Sequence, residues 1–282
     1  MFHVKQNKKK FLCETKDYLA TGERFKVFLD DKEVVGKTIP VPKKAEMYKY
    51  YKSEAYLPHS LNKKTFLTLV YSATRKYMYR KKFLWMKSYL KESTKVLDYG
   101  CGSGGFVKYL RDKSVNAYGY DPNVEFNVFG KSDFLTNRQL WENKKYDIIV
   151  LWHVLEHMHS PFALIQNLKK RLNKNGKIFI AIPNFKSFDS KYYGKYWAGL
   201  DTPRHLWHFS RKSIHMIAKK YNFGIFNEKS LYLDSIYVSY LSEKHKGSNF
   251  PVLLGSIIGL TSIFKSLFTR ESSSFLFILK EN

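Results

Sequence analysis

An α/β fold with a mostly parallel sheet is predicted by three observations. From residue 95 onward, short apolar runs alternate with amphipathic segments, the pattern of strands covered on both faces by helices. The first of these runs passes directly into a glycine-rich turn, "VLDYGCGSGG" (96–105). The second, "AYGYD" (117–121), ends in an acid 23 residues after Asp98, as nucleotide-binding sheets do.

The elements follow in order. "KVLDY" (95–99) reads as a buried strand, and "GGFVKYLRDK" (104–113) opens a helix on the glycines. "YDIIVLW" (146–152) is the next strand after "AYGYD", followed by a helix over 161–172. "GKIFIAIP" (176–183) follows the turn "NKNG", and a helix spans 211–222. "GIFNEKSLYL" (224–233) and "SSFLFILK" (273–280) read as the last two strands. Upstream, residues 1–60 form a separate segment of short strands or irregular structure that turns helical from Lys43. Residues 61–92, without Gly or Pro, predict one connecting amphipathic helix with a basic face beside an aromatic one. That helix is expected to pack on the domain of residues 93–282, with an RNA or membrane patch as the other reading.

An insertion from about Asp234 to Arg270 separates the last two strands, where a direct hairpin needs only a few residues. Its stretch "FPVLLGSIIGLTSIF" (250–264) is apolar nearly all round but shorter than the roughly 20 residues that span a bilayer. Two helices are expected there. Their first expected role is a cap that adds apolar side chains to an acceptor site. Shallow membrane contact, helped by Lys265 and Arg270, is the second.

The net charge is +25, and residues 1–95 carry 23 basic against 9 acidic side chains. This favours anionic partners: nucleic acid, an anionic membrane surface or an acidic substrate. A surface that simply uses lysine by default reads equally well, because the lysines are spread out. The two cysteines, Cys13 and Cys101, form neither a disulfide framework nor a zinc-finger spacing. The first residues, "MFHVKQNKKK", lack the apolar stretch of a signal peptide, so a cytoplasmic location is expected.

The glycine turn carries the chemistry. A dinucleotide site aims backbone amides at a pyrophosphate, and an acid in front of them would repel it. Here Asp98 stands before Gly100, Gly102 and Gly104. An acid beside bare backbone suits a ligand with a cation and no phosphate. S-adenosylmethionine, with its ammonium and sulfonium, meets that description. Asp121 is placed to accept hydrogen bonds from ribose hydroxyls.

These stretches resemble the class I S-adenosylmethionine-dependent methyltransferases. Most similar is a Bacteroidetes-type group of small-molecule enzymes related to the ubiquinone-pathway methyltransferases. The likeness rests on "VLDYGCGSGGF", "YGYDPN", "YDIIVLWHVLEHMHSP", "GKIFIAIPNFKSFDSKYYGKYWAGLDTPRHLWHFS" and the tail "LDSIYVSYLSEKHKG…SSFLFILK". It implies a Rossmann-like seven-stranded sheet whose last strand is antiparallel. It also implies cofactor contacts at Asp98, Gly100, Cys101, Gly102, Gly104, Asp121, Pro122, Trp152 and His153. Such chains often begin with a cysteine-paired ribbon. Asp30 and Glu33 stand at the cysteine positions in "DDKEVVGKTIPVP", so no metal is expected there. Only 25 residues lie between Asp121 and Asp147, which shortens the adenine side of the pocket and leaves Asp133 as the adenine-contact candidate.

"HVLEH" (153–157) matches an inverted zinc-protease motif, but its place after a buried strand argues for Glu156 and His157 ordering the cofactor-edge loop. His157 and His205 are the catalytic candidates. His205, in "TPRHLWHF" (202–209), reads either as a base taking a proton from the acceptor or as a structural pin for the loop. Tyr193, Trp197 and His208 are substrate-wall candidates, with core packing as the alternative. No D/N-P-P-Y motif follows the fourth strand, which counts against a base-specific nucleic-acid enzyme. The expected acceptor is a small molecule, apolar or anionic, methylated at O, N or C. The other readings are an RNA methyltransferase, and a regulatory protein that has lost cofactor binding.

Overall fold

The computed structural model describes residues 10–51, 66–122 and 141–282, with side chains from residue 75 in the second stretch. Three strands open the chain: β1 (Lys10–Lys16), β2 (Arg24–Leu29) and β3 (Val35–Ile39). A short helix α1 (Tyr48–Tyr51) and the long α2 (Phe66–Met86) follow. The alternating part runs β4 (Lys95–Tyr99), α3 (Gly105–Arg111), β5 (Asn116–Tyr120), β6 (Tyr146–Trp152), α4 (Pro161–Lys170) and β7 (Leu172–Pro183). Then come α5 (Phe188–Tyr193), β8 (Trp207–Phe209), α6 (Arg211–Lys220), β9 (Phe223–Ser230), α7 (Tyr232–Lys246), α8 (Pro251–Thr269) and β10 (Ser274–Glu281).

Six strands form the main sheet in the order β5-β4-β6-β7-β10-β9. Strands β5, β4, β6 and β7 pair in parallel, and β10 lies antiparallel between β7 and β9. The sheet is buried on both faces, so its strands alternate between two apolar layers rather than between core and water. Leu97, Ile149 and Ile180 face α4 and α6, which contribute Ile165, Leu168 and Ile214. Val96, Val150 and Phe179 face the other way, toward Met86 of α2 and Phe106 and Leu110 of α3. The aromatic side of α2 therefore packs on the sheet as expected.

Local chemistry sets the helix ends. Pro161 and Pro251 stand in the first turns of α4 and α8, where a missing N–H costs nothing. Ser210 and Ser213 cap α6 reciprocally: Ser213 N donates to Ser210 Oγ (3.3 Å) and Ser210 N to Ser213 Oγ (2.7 Å).

Two expectations change with the structure, and part of a third lies outside the described residues. Of the two readings of the N-terminal extension, short strands replace irregular structure over residues 10–39: β1, β2 and β3 form an antiparallel meander that continues through β8 into a second, four-stranded sheet. Phe25, Val27 and Leu29 supply its buried face, and period-2 alternation stabilises a strand without help from nearby sequence. Asp30 turns this hairpin by accepting from Val34 N (2.6 Å) and Val35 N (3.1 Å). The "NKNG" stretch is not a separate turn but belongs to β7, where Leu172 pairs with Tyr146 before a register shift. Of the seven strands expected, six lie among the described residues; residues 123–140, with Asp133, fall outside them.

Candidate active site

The glycine turn sits where β4 ends, at the carboxyl edge of the sheet. Gly100 N (2.7 Å) and Cys101 N (3.2 Å) both donate to Tyr120 O at the end of β5. Gly102 N donates to Asp121 Oδ2 at 2.9 Å. The loop is thus tied to the neighbouring strand by backbone and by the second acid. Gly100, Gly102 and Gly104 all have positive φ (79°, 49° and 68°), but for different reasons. A Cβ on Gly100 would overlap Val154, one of whose methyls lies 2.9 Å away, so this position serves close packing of the β6 loop. A Cβ on Gly102 would meet nothing within 4 Å: the backbone there fronts open space. Gly104 is the left-handed cap of α3.

Asp98 is buried beneath this loop, 3% exposed. Burial pushes its carboxyl up to about 7, with Lys82 opposing the rise and Asp121 adding to it. Lys82, from α2, rests its ammonium over the rings of Trp152 (4.9 Å) and Phe106 (5.4 Å). Burial lowers the Lys82 pKa, while Asp98 and Asp234 pull it back. Cys101 is half-buried, and burial followed by the two aspartates raises its thiol well above the ordinary value. It is therefore not a nucleophile at neutral pH. Lys82 escaped the sequence reading because nothing in a lysine-rich helix says which lysine turns inward.

Trp152 ends β6, and its indole Nε1 has no hydrogen-bond partner among the described residues. His153 follows with φ 55°. Its Nδ1 lies 3.3 Å from Glu156 Oε1 and its Nε2 3.4 Å from Asp234 Oδ2, at the first turn of α7. Burial opposes the imidazolium, but hydrogen bonds to Asp234 and Glu156 outweigh it and raise the pKa to about 10. The group therefore contributes stability in full below the unfolded value of about 6.5 and loses it as pH rises through about 10. An imidazole NMR titration is expected to find His153 still protonated at pH 8. A midpoint near that of a free histidine would dismiss the paired arrangement.

The histidines further along lie deeper. His157 Nδ1 donates to Arg204 O at 3.0 Å, and burial, reinforced by His205, drops its pKa to about 4. His205 is 8% exposed and donates from Nδ1 to Gly199 O at 2.9 Å. The two rings meet edge to face, 4.6 Å between centroids. Glu156, His157 and His205 each offer one donor atom within 4.8 Å of the others. Glu156 also spends a carboxylate oxygen on His153 and its carbonyl on Leu206 N. His208 is a core residue: Thr38 donates its hydroxyl proton to His205 O (2.7 Å), so His208 Nε2 must donate to Thr38 Oγ1 (2.9 Å). Burial, then His205, lowers its pKa to about 3.

The structure brings Asp98, Gly100, Cys101, Gly102, Gly104, Asp121, Trp152 and His153 together at the ends of β4, β5 and β6. It does not bring the substrate-wall candidates to that edge. Tyr193 and Trp197 are 3% and 2% exposed and pack with Val27, Leu29 and Phe185, and Trp197 Nε1 donates to Asp189 (2.8 Å). His208 is likewise buried, on β8 beside β3. Pro122 and His157 line a cavity of about 480 Å3 with Tyr51, Tyr99, Tyr120 and Trp141. The Trp141 indole nitrogen has no partner among the described residues.

A family profile described as a methyltransferase domain matches residues 71–227, more than half of the chain. The chain belongs to the methyltransferase-domain family. Its matched stretch includes the glycine turn, both acids and all of β6 and β7. This methyltransferase is similar to the ubiquinone biosynthesis O-methyltransferase of Glaesserella parasuis serovar 5, 29% identical over 107 residues, or 32% of this chain and 45% of that one. It is similar also to the tRNA U34 carboxymethyltransferase of Campylobacter fetus subsp. fetus, 30% identical over 118 residues, or 35% and 40%. The chain thus spans less than half the length of these curated relatives. Among solved structures, an S-adenosylmethionine-dependent methyltransferase from Archaeoglobus fulgidus aligns over 77% of this chain and all of its own, at 19% identity and a TM-score of 0.49.

The residues present would fit S-adenosylmethionine as a cofactor. Gly102 leaves room for a ligand against bare backbone. Asp121 is hydrogen-bonded to Gly102 N, and Asp98 lies buried at the end of the preceding strand, two carboxylates suited to ribose hydroxyls and to an ammonium.

Proposed function

We propose that this methyltransferase transfers the methyl group of S-adenosylmethionine to a nucleophilic oxygen, nitrogen or carbon of a small, largely apolar metabolite. The narrower kinship with small-molecule enzymes of the ubiquinone-pathway group is part of this reading. The observation that carries it is the open Gly102 backbone, its N–H held by Asp121, with Asp98 buried at the end of the preceding strand. When bound, the cofactor supplies a methyl group activated by its sulfonium. Asp98 would hold the ammonium end; a carboxyl poised near pH 7 ionises fully once a cation sits beside it. Asp121 would take the ribose hydroxyls, and the aromatic cavity beside Pro122 the adenine. His153, protonated between Asp234 and Glu156, has no proton acceptor role at neutral pH and would orient the loop. Alignment of nucleophile and methyl would then be the protein's main contribution to rate. His205, buried behind His157, is placed to act through its neighbours as a positioning residue.

Calorimetry with S-adenosylmethionine and S-adenosylhomocysteine tests the reading. Asp98→Ala and Asp121→Ala are each expected to weaken binding by about 1–3 kcal/mol, the range for hydrogen bonds to a charged group. Unchanged affinity in both variants would remove the basis for this site. A wild type that binds neither compound would favour the non-catalytic reading. Tight, steeply salt-dependent RNA binding would favour an RNA acceptor, as the net charge of +25 also permits.

A further inference from the structure

The insertion between β9 and β10 is built the opposite way round from a helix pair that lives in water. Helices α7 and α8 touch through their small residues. A Cβ on Gly255 would fall 2.5 Å from Tyr240 Cα, and one on Gly259 2.6 Å from Ile236 Cα, so the two backbones are in contact. Ser235, Ser239 and Ser242 of α7 complete the buried stripe, and the buried residues of α8 are Gly255, Gly259, Ser262 and Ser266 alone. The large side chains point outward: Val252 is 67% exposed, Leu260 57%, Phe264 62% and Phe268 74%. Over 18 residues the mean hydropathy of α8 reaches 1.7, with only 22% of that window buried. Close approach through small residues is how helices associate in lipid, where apolar burial between helices gives no advantage.

The polar groups of α8 fit the same medium. Thr261 Oγ1 donates to Ile257 O (2.8 Å) and Thr269 Oγ1 to Lys265 O (3.0 Å), one turn back along the helix. Ser262 donates to the buried Asp189 (2.7 Å) and Ser266 to Ile263 O (2.6 Å). These four hydroxyls are thereby paired within the protein, as a hydrocarbon environment favours. Around the apolar face stand Lys244, Lys246, Lys265 and Arg270, all exposed. They add to a chain whose net charge is +25.

We propose that the outer face of the α7–α8 pair docks on the surface of an anionic phospholipid bilayer. The pair lies in the plane of the interface rather than across it, because α8 is fastened to α5 through Ser262 and Asp189 and α7 to residue 198 through Ser242. Lys and Arg then sit at headgroup depth, where each positive charge is attracted to anionic lipid. Asp234, in the first turn of α7, touches His153 at the active-site edge. The first turn of α7 thus adjoins the candidate site, and an apolar acceptor could reach it from the lipid phase. That last step rests on the function proposed above; docking itself does not.

The test is co-sedimentation of the full chain with vesicles of phosphatidylcholine alone or with 30% phosphatidylglycerol, without cofactor. The wild type is expected to pellet with the anionic vesicles, less so with the neutral ones, and to be released in part by high salt. Leu260→Asp with Phe264→Asp is expected to lower the vesicle partition at least tenfold while keeping near-ultraviolet circular dichroism. The single variants should each lose part of it. No pelleting of the wild type with anionic vesicles overturns the proposal, as does undiminished pelleting of a folded double variant. So does a wild-type dimer in the absence of lipid that the same two substitutions abolish, since the face would then cover a second copy. S-adenosylhomocysteine calorimetry, run separately, reports on the methyltransferase reading alone.

Discussion

Arg204→Met is expected to cost about 3–5 kcal/mol of stability at pH 7, the range for removing one partner of a buried ion pair. The Arg204 side chain is 1% exposed. Its Nη2 donates to Asp17 Oδ1 (2.9 Å) and Asp201 Oδ1 (2.7 Å), Nε donates to Asp201 (2.9 Å) and Nη1 to Tyr50 O (2.9 Å). One guanidinium thereby ties the loop before β8 to the end of β1 and to α1. Without it, two carboxylates remain in the interior with their counter-charge gone. Burial works to raise the Asp17 and Asp201 pKa values, yet hydrogen bonds and Arg204 hold both below the usual carboxylate range. Their contribution is therefore present above the ordinary carboxylate pKa and lost as pH falls through the lowered one. In Arg204→Met burial raises both carboxylates, so they take up protons as pH falls and the loss should be smaller at pH 5 than at pH 7; adding Asp201→Asn should recover part of it. Urea unfolding followed at pH 7 and pH 5 checks this. A variant within 1 kcal/mol of wild type would mean that the network is not a structural tie.

The glycine turn yields the second large effect, as a contrast between neighbours. Gly100→Ala places a Cβ into Val154 on a backbone with φ 79°. Strain and overpacking together are expected to cost about 2–5 kcal/mol. Gly102→Ala meets no protein atom within 4 Å, so its cost to the fold is the left-handed backbone alone, about 1 kcal/mol. Its methyl would instead occupy the space assigned to the cofactor. Thermal unfolding should separate the two variants, with Gly100→Ala lower, while calorimetry with S-adenosylhomocysteine should show at least a tenfold loss for Gly102→Ala. A Gly102→Ala protein that binds as wild type would place the ligand elsewhere.

The sequence by itself determined the alternating half of this methyltransferase. Strand β4 is found where "KVLDY" was read and β6 where "YDIIVLW" was read, and the ends of α3, α4 and α6 differ from the reading by two residues or fewer. The glycine turn and its two acids were legible from residue type and spacing, although the turn is fastened to Tyr120 and Asp121 some 20 residues on. The two helices between β9 and β10 were legible too, from length and apolarity. Only the tertiary structure decided what lies across long separations. Strand β8 is three residues long and exists because β3, some 170 residues earlier, offers it a paired edge. That pairing makes "TPRHLWHF", read as holding either a base or a structural pin, a junction where Arg204, His205 and His208 are buried and hydrogen-bonded. Lys82 reaches the shelf of Trp152 and Phe106 only because α2 packs against α3. A histidine or lysine carries the same letter in a core as in a site. Its role is set by burial and by partners distant in the chain, and local pattern contains neither.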